Sequence, residues 1–173
     1  MKYILSIIFI IIIYVFISNV VVANNLIPDD AIRVRVIANS NSDYDQKIKY
    51  EVKDIVEDDM YNILNGVSDI SLARDKINSN LDYVYNDIDK YLKSNNYNLG
   101  FDINFGYNYF PKKEFKGITY KEGNYESVVV TIGEGKGDNW WCVLFPPLCL
   151  IEAEDSNDIE YTSLVKEIID KFD

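Results

Sequence analysis

The chain has 173 residues, 48% of them hydrophobic and 26% charged, which is enough apolar content for a packed core. Its formal net charge of −11 argues against nucleic acid and anionic lipid head groups, because both are held by clustered Lys and Arg. Histidine is absent, so neither a Ser-His-Asp nor a Cys-His site can be built and the commonest metal ligand is missing. No metal, cofactor or nucleic acid is expected, and a site made of carboxylates alone stays open.

The amino-terminal segment is set apart by composition. Lys2 precedes an apolar run from Ile4 to Ile17, then Val20-Val21-Val22-Ala23, with no charge between Lys2 and Asp29. A helix from Ile4 to Ala23 is just long enough to span a bilayer of about 30 Å. Residues 1–23 therefore read as a signal peptide with a small-residue cleavage site at Val21-Val22-Ala23, or as an uncleaved transmembrane anchor. Either reading ties the chain to a membrane through this segment and exports everything after it. Residues 24–31 are a short polar linker containing Pro28.

Ile32, Val34 and Val36 alternate with Arg33 and Arg35, the pattern of a half-buried strand. The arginine face is expected to be solvated or paired with acids. Asn39-Ser40-Asn41-Ser42-Asp43 is a cluster of turn and cap residues, and Asp43 with Gln46 resembles a capping box. A helix should follow from about Tyr44 to Leu64, with Ile48, Val52, Ile55, Val56, Met60 and Ile63 as its apolar stripe and Asn65-Gly66 as its stop. Ser68 or Asp69 caps a second helical stretch, in which Leu72, Ala73, Ile77, Leu81, Val84, Ile88 and Leu92 face the core. Asn78-Ser79-Asn80 is a point where it could break or kink, and Ser94-Asn95-Asn96 ends it.

The second half reads as strands near 100–107, 118–121, 124–132 and 140–145, punctuated by glycines. The expected fold is α+β with two layers: a mostly antiparallel sheet with helices packed on one face, after the amino-terminal signal or anchor helix. The expected domain covers residues 32–151. Residues 152–173 are an acidic linker and a short amphipathic helix carrying Tyr161, Leu164, Val165, Ile168 and Ile169.

The most distinctive stretch runs from Ile132 to Cys149. It places Gly133-Glu134-Gly135-Lys136-Gly137 before Asp138-Asn139-Trp140-Trp141-Cys142-Val143-Leu144-Phe145-Pro146-Pro147-Leu148-Cys149. Together with Ile32-Arg33-Val34-Arg35-Val36-Ile37-Ala38-Asn39-Ser40 and Asp45-Gln46, it resembles the stage II sporulation protein R family over roughly Ile32 to Leu150. Asn41 departs from that family's pattern, in which Asp is commoner. The resemblance implies a non-enzymatic signalling protein of endospore formation, made in the forespore and exported into the space between forespore and mother cell. There it would activate a membrane-embedded aspartic peptidase of the mother cell, which processes the precursor of sigma factor E.

Within that stretch, Asn139, Trp140, Trp141, Phe145, Pro146 and Pro147 are the candidate partner-binding residues. Adjacent tryptophans in a strand point to opposite faces, so one can fill the core while the other anchors a partner. Cys142 and Cys149 are the only cysteines, and an exported compartment permits a disulfide between them. Two buried thiols are the other reading. The glycine-rich run has the wrong spacing for a phosphate loop and reads as a turn between strands. Two rival functions remain: a cell-wall glycoside hydrolase using Glu126 and Glu134, and a carbohydrate-binding module using the tryptophans as stacking platforms.

Overall fold

A computed structural model describes residue 28, residues 30–115 and residues 118–147. The expected signal or anchor segment, most of the linker, Cys149 and the acidic carboxy-terminal stretch lie outside the described residues. Among the described residues, no helix is long and apolar enough to cross a membrane. They fall into two compact units.

The larger unit, whose described residues are 31–108 and 125–147, begins with β1 (Ile32–Ile37). Ile32, Val34 and Val36 are fully buried on one face, as the alternation requires. α1 (Asp43–Leu64) and α2 (Ile70–Ser94) follow. Ser42, rather than Asp43, caps α1, its hydroxyl accepting from the Asp45 amide at 3.1 Å. Gln46 turns back to the Ser40 carbonyl at 2.9 Å instead of closing a box with Asp43. Asn65 and Gly66, the latter at φ +72°, end α1 where the sequence places the stop.

Asp69 caps α2 by accepting from the Leu72 amide at 3.0 Å. Asn78-Ser79-Asn80 does not break the helix. Ser79 Oγ donates to the Asp75 carbonyl at 2.6 Å and Asn80 Nδ2 to the Lys76 carbonyl at 2.8 Å, so these side chains bond back into the helix rather than competing with it. Leu72, expected in the core, is 47% exposed, because its place in the first turn points it away from the sheet.

The remaining strands are β2 (Phe101–Phe110), β5 (Gly123–Ile132) and β6 (Asn139–Phe145). They form a four-stranded sheet with β1, in the order β2-β5-β1-β6. β1 is parallel to β5, with Val34 opposite Val128 and Arg35 opposite Val129. β6 is antiparallel to β1, with Val36 opposite Trp140 and Arg35 opposite Trp141. β2 runs antiparallel to β5: Gly133 N donates to the Gly100 carbonyl at 2.9 Å, while Asn108, further along β2, reaches back to Ser127 Oγ at 3.1 Å. β2 ends three residues beyond the expected strand, because Gly106 continues the strand and does not end it.

Val34, Val36, Val128, Val130, Ile132 and Leu144 meet Val52, Val56 and Met60 of α1 and Ile77, Val84 and Ile88 of α2 in one core. Fully burying each such side chain contributes about 1.5–3 kcal/mol. The result is the α+β arrangement expected: a mostly antiparallel sheet with helices on one face.

The described residues of the smaller unit include 109–115 and 118–124. β3 (Lys113–Phe115) pairs antiparallel with β4 (Ile118–Tyr120), Lys113 lying opposite Tyr120. β3 has no apolar alternation of its own, which is why it is not legible in the sequence. The Tyr109 hydroxyl donates to Glu122 Oε2 at 3.2 Å in the same unit.

Candidate functional site

β6 carries most of the candidate contact residues, and it is an edge strand. The two tryptophans face opposite sides of the sheet. Trp140 is half-buried against the core on the helix side, where Lys53 Nζ of α1 lies 5.5 Å from its ring centre. Trp141 is half-buried on the other face, with the Arg35 guanidinium 5.7 Å from its ring. Asn139 braces the start of β6. With its amide oriented to suit its neighbours, it accepts from Arg35 Nη2 at 2.7 Å and donates to the Gly137 carbonyl at 3.3 Å.

Pro146 and Pro147 are exposed. Phe145, expected as a contact residue, is instead buried in the core. A register shift between Ile32 and Arg33 puts Phe145 opposite Ile32 and Val143 opposite Arg33, so Leu144 and Phe145 both turn inward. Cys142 is half-buried and disulfide-bonded. Cys149 lies outside the described residues.

Of the two expectations for the arginine face, open solvation does not hold. Arg33 is buried, with its guanidinium 3.4 Å from the Tyr125 ring centre, and burial lowers the pKa of Arg35. Aromatic rings, rather than open solvent, meet these two side chains. The planar guanidinium stacks on a ring while keeping its charge.

Beneath the start of β6, the glycine-rich turn is held by the loop between β1 and α1. Asn39 Oδ1 accepts from the Glu134 amide at 3.0 Å, and the Asn39 carbonyl accepts from the Lys136 amide at 3.0 Å. Asn41 Oδ1 accepts from the Asp138 amide at 2.6 Å. An oxygen acceptor is all that this position needs, so Asn serves where Asp would also serve. Gly133 adopts φ +56°, and a Cβ there would collide with the Asn39 side chain. At Gly137 a Cβ would collide with the Ser40 carbonyl.

The loop itself is anchored on Asp45, which is 7% exposed. Its carboxylate accepts from Ser40 Oγ at 2.5 Å, Asn39 Nδ2 at 2.9 Å and Tyr97 Oη at 2.9 Å. These donors, Ser40 foremost, hold its pKa below the usual carboxylate value against the opposing effect of burial. Burial and the bond to Asp45 push the Tyr97 hydroxyl up. An open concavity of about 530 Å³ lies beside the turn, lined by Asn39, Ser40, Leu99, Gly133, Glu134 and Lys136.

The residues that make this geometry all lie within a range matched by a protein-family model. The family model described as stage II sporulation protein R matches residues 28–155. The chain belongs to the stage II sporulation protein R family. It is 35% identical over 135 residues to the stage II sporulation protein R of Bacillus subtilis (strain 168), a match covering 78% of this chain and 60% of that relative. No solved structure matches the chain.

In this family member, Glu126 and Glu134 do not form a catalytic pair. Glu126 is bound to Arg74 Nε through both carboxylate oxygens at 2.8 Å. Glu134 is exposed in the turn, 2.6 Å from Lys136 Nζ. From Glu126 to the end of β5 at Ile132 the strand alone rises roughly 20 Å, and glycoside cleavage needs carboxyls about 5–9.5 Å apart. Among the described residues, no group of three or more Asp, Glu, Cys or His is placed to hold a metal.

The sequence reading missed the Asp45–Tyr97 pair. The signal available was the Asn-Ser-Asn-Ser cluster before α1, which reads as capping alone until Tyr97, fifty-two residues on, is brought beside it.

Proposed function

We propose that this chain is an exported, non-enzymatic messenger of endospore formation that activates a membrane-embedded aspartic peptidase by contact. The peptidase then processes the precursor of sigma factor E. The protein would be made in the forespore and act in the space between forespore and mother cell, released or tethered by its amino-terminal segment. The observation that carries this reading is membership of the stage II sporulation protein R family across 28–155. The apolar segment before Asp29 and the absence of histidine agree with it.

Activation by contact is a population shift: the messenger binds the active arrangement of the peptidase more tightly than the inactive one. The proposed contact surface is β6 and the turn after it, with Asn139, Trp140, Trp141, Pro146 and Pro147 at the surface and Phe145 holding the strand from inside. Aromatic side chains at the edge of a rigid sheet make good anchors, because little conformational entropy is lost when they dock.

The test is reconstitution of the exported part, the peptidase in membranes and the sigma precursor. Cleavage should depend on the exported part, and Trp140→Ala or Trp141→Ala should lower it about ten-fold or more in proteins that still fold. Cleavage that proceeds equally well without the exported part would sink the proposal. So would cleavage of the precursor by the exported part without the peptidase.

A further inference from the structure

β2 lies at the opposite edge of the sheet from β6. In the order β2-β5-β1-β6, no strand pairs with its outer side among the described residues. An edge strand presents a row of backbone N–H and C=O groups that can pair with another strand, and folded proteins defend such edges by keeping them short or by placing Lys or Pro there. β2 is ten residues long, and from Phe101 to Tyr107 it carries one charge, Asp102, and neither Lys nor Pro. Phe101, Ile103 and Phe105 are partly buried against the core under the helices. Asp102 and Asn104 alternate with them and are exposed on the other face. Tyr85 of α2, itself exposed, stacks on Phe101 with 4.6 Å between ring centres and widens the apolar strip beside the edge.

We propose that β2 is a homodimerisation edge, pairing antiparallel with β2 of a second copy so that Ile103 lies opposite Ile103 at a twofold axis. The strand's own pattern selects this occupant. In that register Phe101 faces Phe105 of the second copy, and Asp102 faces Asn104 of the second copy. Apolar side chains therefore meet on the helix side, the kind of cross-strand pair that stabilises a sheet. On the other side each carboxylate meets a carboxamide donor, and no acid meets an acid. Further out, the same register brings Leu99 beside Tyr107 of the second copy. These are the two most exposed large apolar side chains among the described residues, at 58% and 75%.

The alternatives fit less well. A parallel copy in register would set Asp102 beside Asp102 and leave Leu99 and Tyr107 apart. A foreign strand would have to bring the same alternation and a donor opposite Asp102, which this chain already supplies. Twofold pairing uses each β2 edge once and closes at two copies. It makes one eight-stranded sheet with a β6 at each outer end. The inference goes beyond the signalling reading, and its test does not depend on activation.

The experiment uses the full chain in mild detergent. Asp102→Cys and Asn104→Cys, both at exposed positions, are purified separately, mixed under mild oxidation and resolved on a non-reducing gel. Disulfide-linked dimer should form at least about five-fold more in the mixture than with either variant alone, because position 102 faces 104 and not itself. A second measurement, sedimentation, follows the dimer without cysteines. Asn104→Asp keeps the oxygen that accepts from Asn108 Nδ2 at 3.0 Å, yet sets two carboxylate pairs across the axis. It should weaken dimerisation about five-fold, and adding Asp102→Asn, which restores one acid opposite one amide, should recover it. Equal yields in the mixture and the single variants, sedimentation as one copy at every concentration, or no recovery in the double variant would each overturn the proposal. Absence of the homodimer, with attachment of the peptidase to position 104 through a thiol-to-amine crosslinker, would overturn it in favour of a foreign strand.

Discussion

Asp45 and Asp59 sit on the same helix and are buried alike, at 7% and 5% exposure, yet their surroundings act in opposite directions. Asp45 meets three side-chain donors, and its pKa falls. Asp59 lies where α1 packs on α2. Burial, reinforced by the charge of Asp87, pushes its pKa up to about 6, against a hydrogen bond from Tyr83. Its Oδ2 accepts no hydrogen bond among the described residues. Burial by itself thus says little about what a carboxylate does for a fold; the donors around it decide. The first carboxylate organises the loop under the candidate contact strand, and the second is a cost carried by the helix pair.

Removing Asp45 should give the largest effect. Asp45→Ala leaves Tyr97 Oη, Ser40 Oγ and Asn39 Nδ2 without their acceptor and should cost about 3 kcal/mol or more in urea unfolding at pH 7. Because the folded pKa of Asp45 is depressed, its contribution is present above the unfolded value and is lost as pH falls through the folded value. The penalty of Asp45→Ala should therefore shrink in strong acid. A penalty that does not change with pH would mean that packing, not charge, is what Asp45 supplies.

Gly137→Ala attacks the same clamp from the other side. Its Cβ would meet the Ser40 carbonyl, a backbone atom that cannot swing aside, so a loss of about 2 kcal/mol is expected from the same measurement. A neutral result would show that the loop and turn are not pressed together as described.

Asp59→Asn sharpens the contrast by reversing the sign. The folded protein holds the Asp59 proton more tightly than the unfolded chain does, so native stability is full below the unfolded value near 3.8 and declines as pH rises through about 6. The variant should be more stable than the native protein by about 1–2 kcal/mol at pH 8, and by almost nothing at pH 3. Destabilisation at pH 8 would mean that the ionised group has found partners.

Glu134→Gln is the smallest change expected. Glu134 and Lys136 are both largely exposed, where water and salt screen the pair, so thermal unfolding should barely move. A loss of signalling in that variant, with the fold intact, would extend the contact surface from β6 into the turn.

Much of the fold was legible because periodicity reports burial directly. The stripes of α1 and α2 and the alternation in β1 emerge as the core, with Leu72 as the exception at a helix start. The turn at Gly133–Gly137 was legible as a turn, but the need for Gly137 was not, since it comes from a carbonyl almost a hundred residues earlier. The opposite facing of Trp140 and Trp141 followed from strand geometry. The inward position of Phe145 did not, because it depends on a register shift against Ile32 that pairing alone creates.

By itself the sequence determined most of the elements, the apolar faces of the helices and of β1, and the family, because helix and strand periods and a distinctive local string are properties of neighbouring residues. Tertiary structure decided which strands became neighbours, which carboxylate found donors, and what the two arginines stack on. Those outcomes depend on groups that chain folding brings together from far apart, and no local pattern encodes the distance between them.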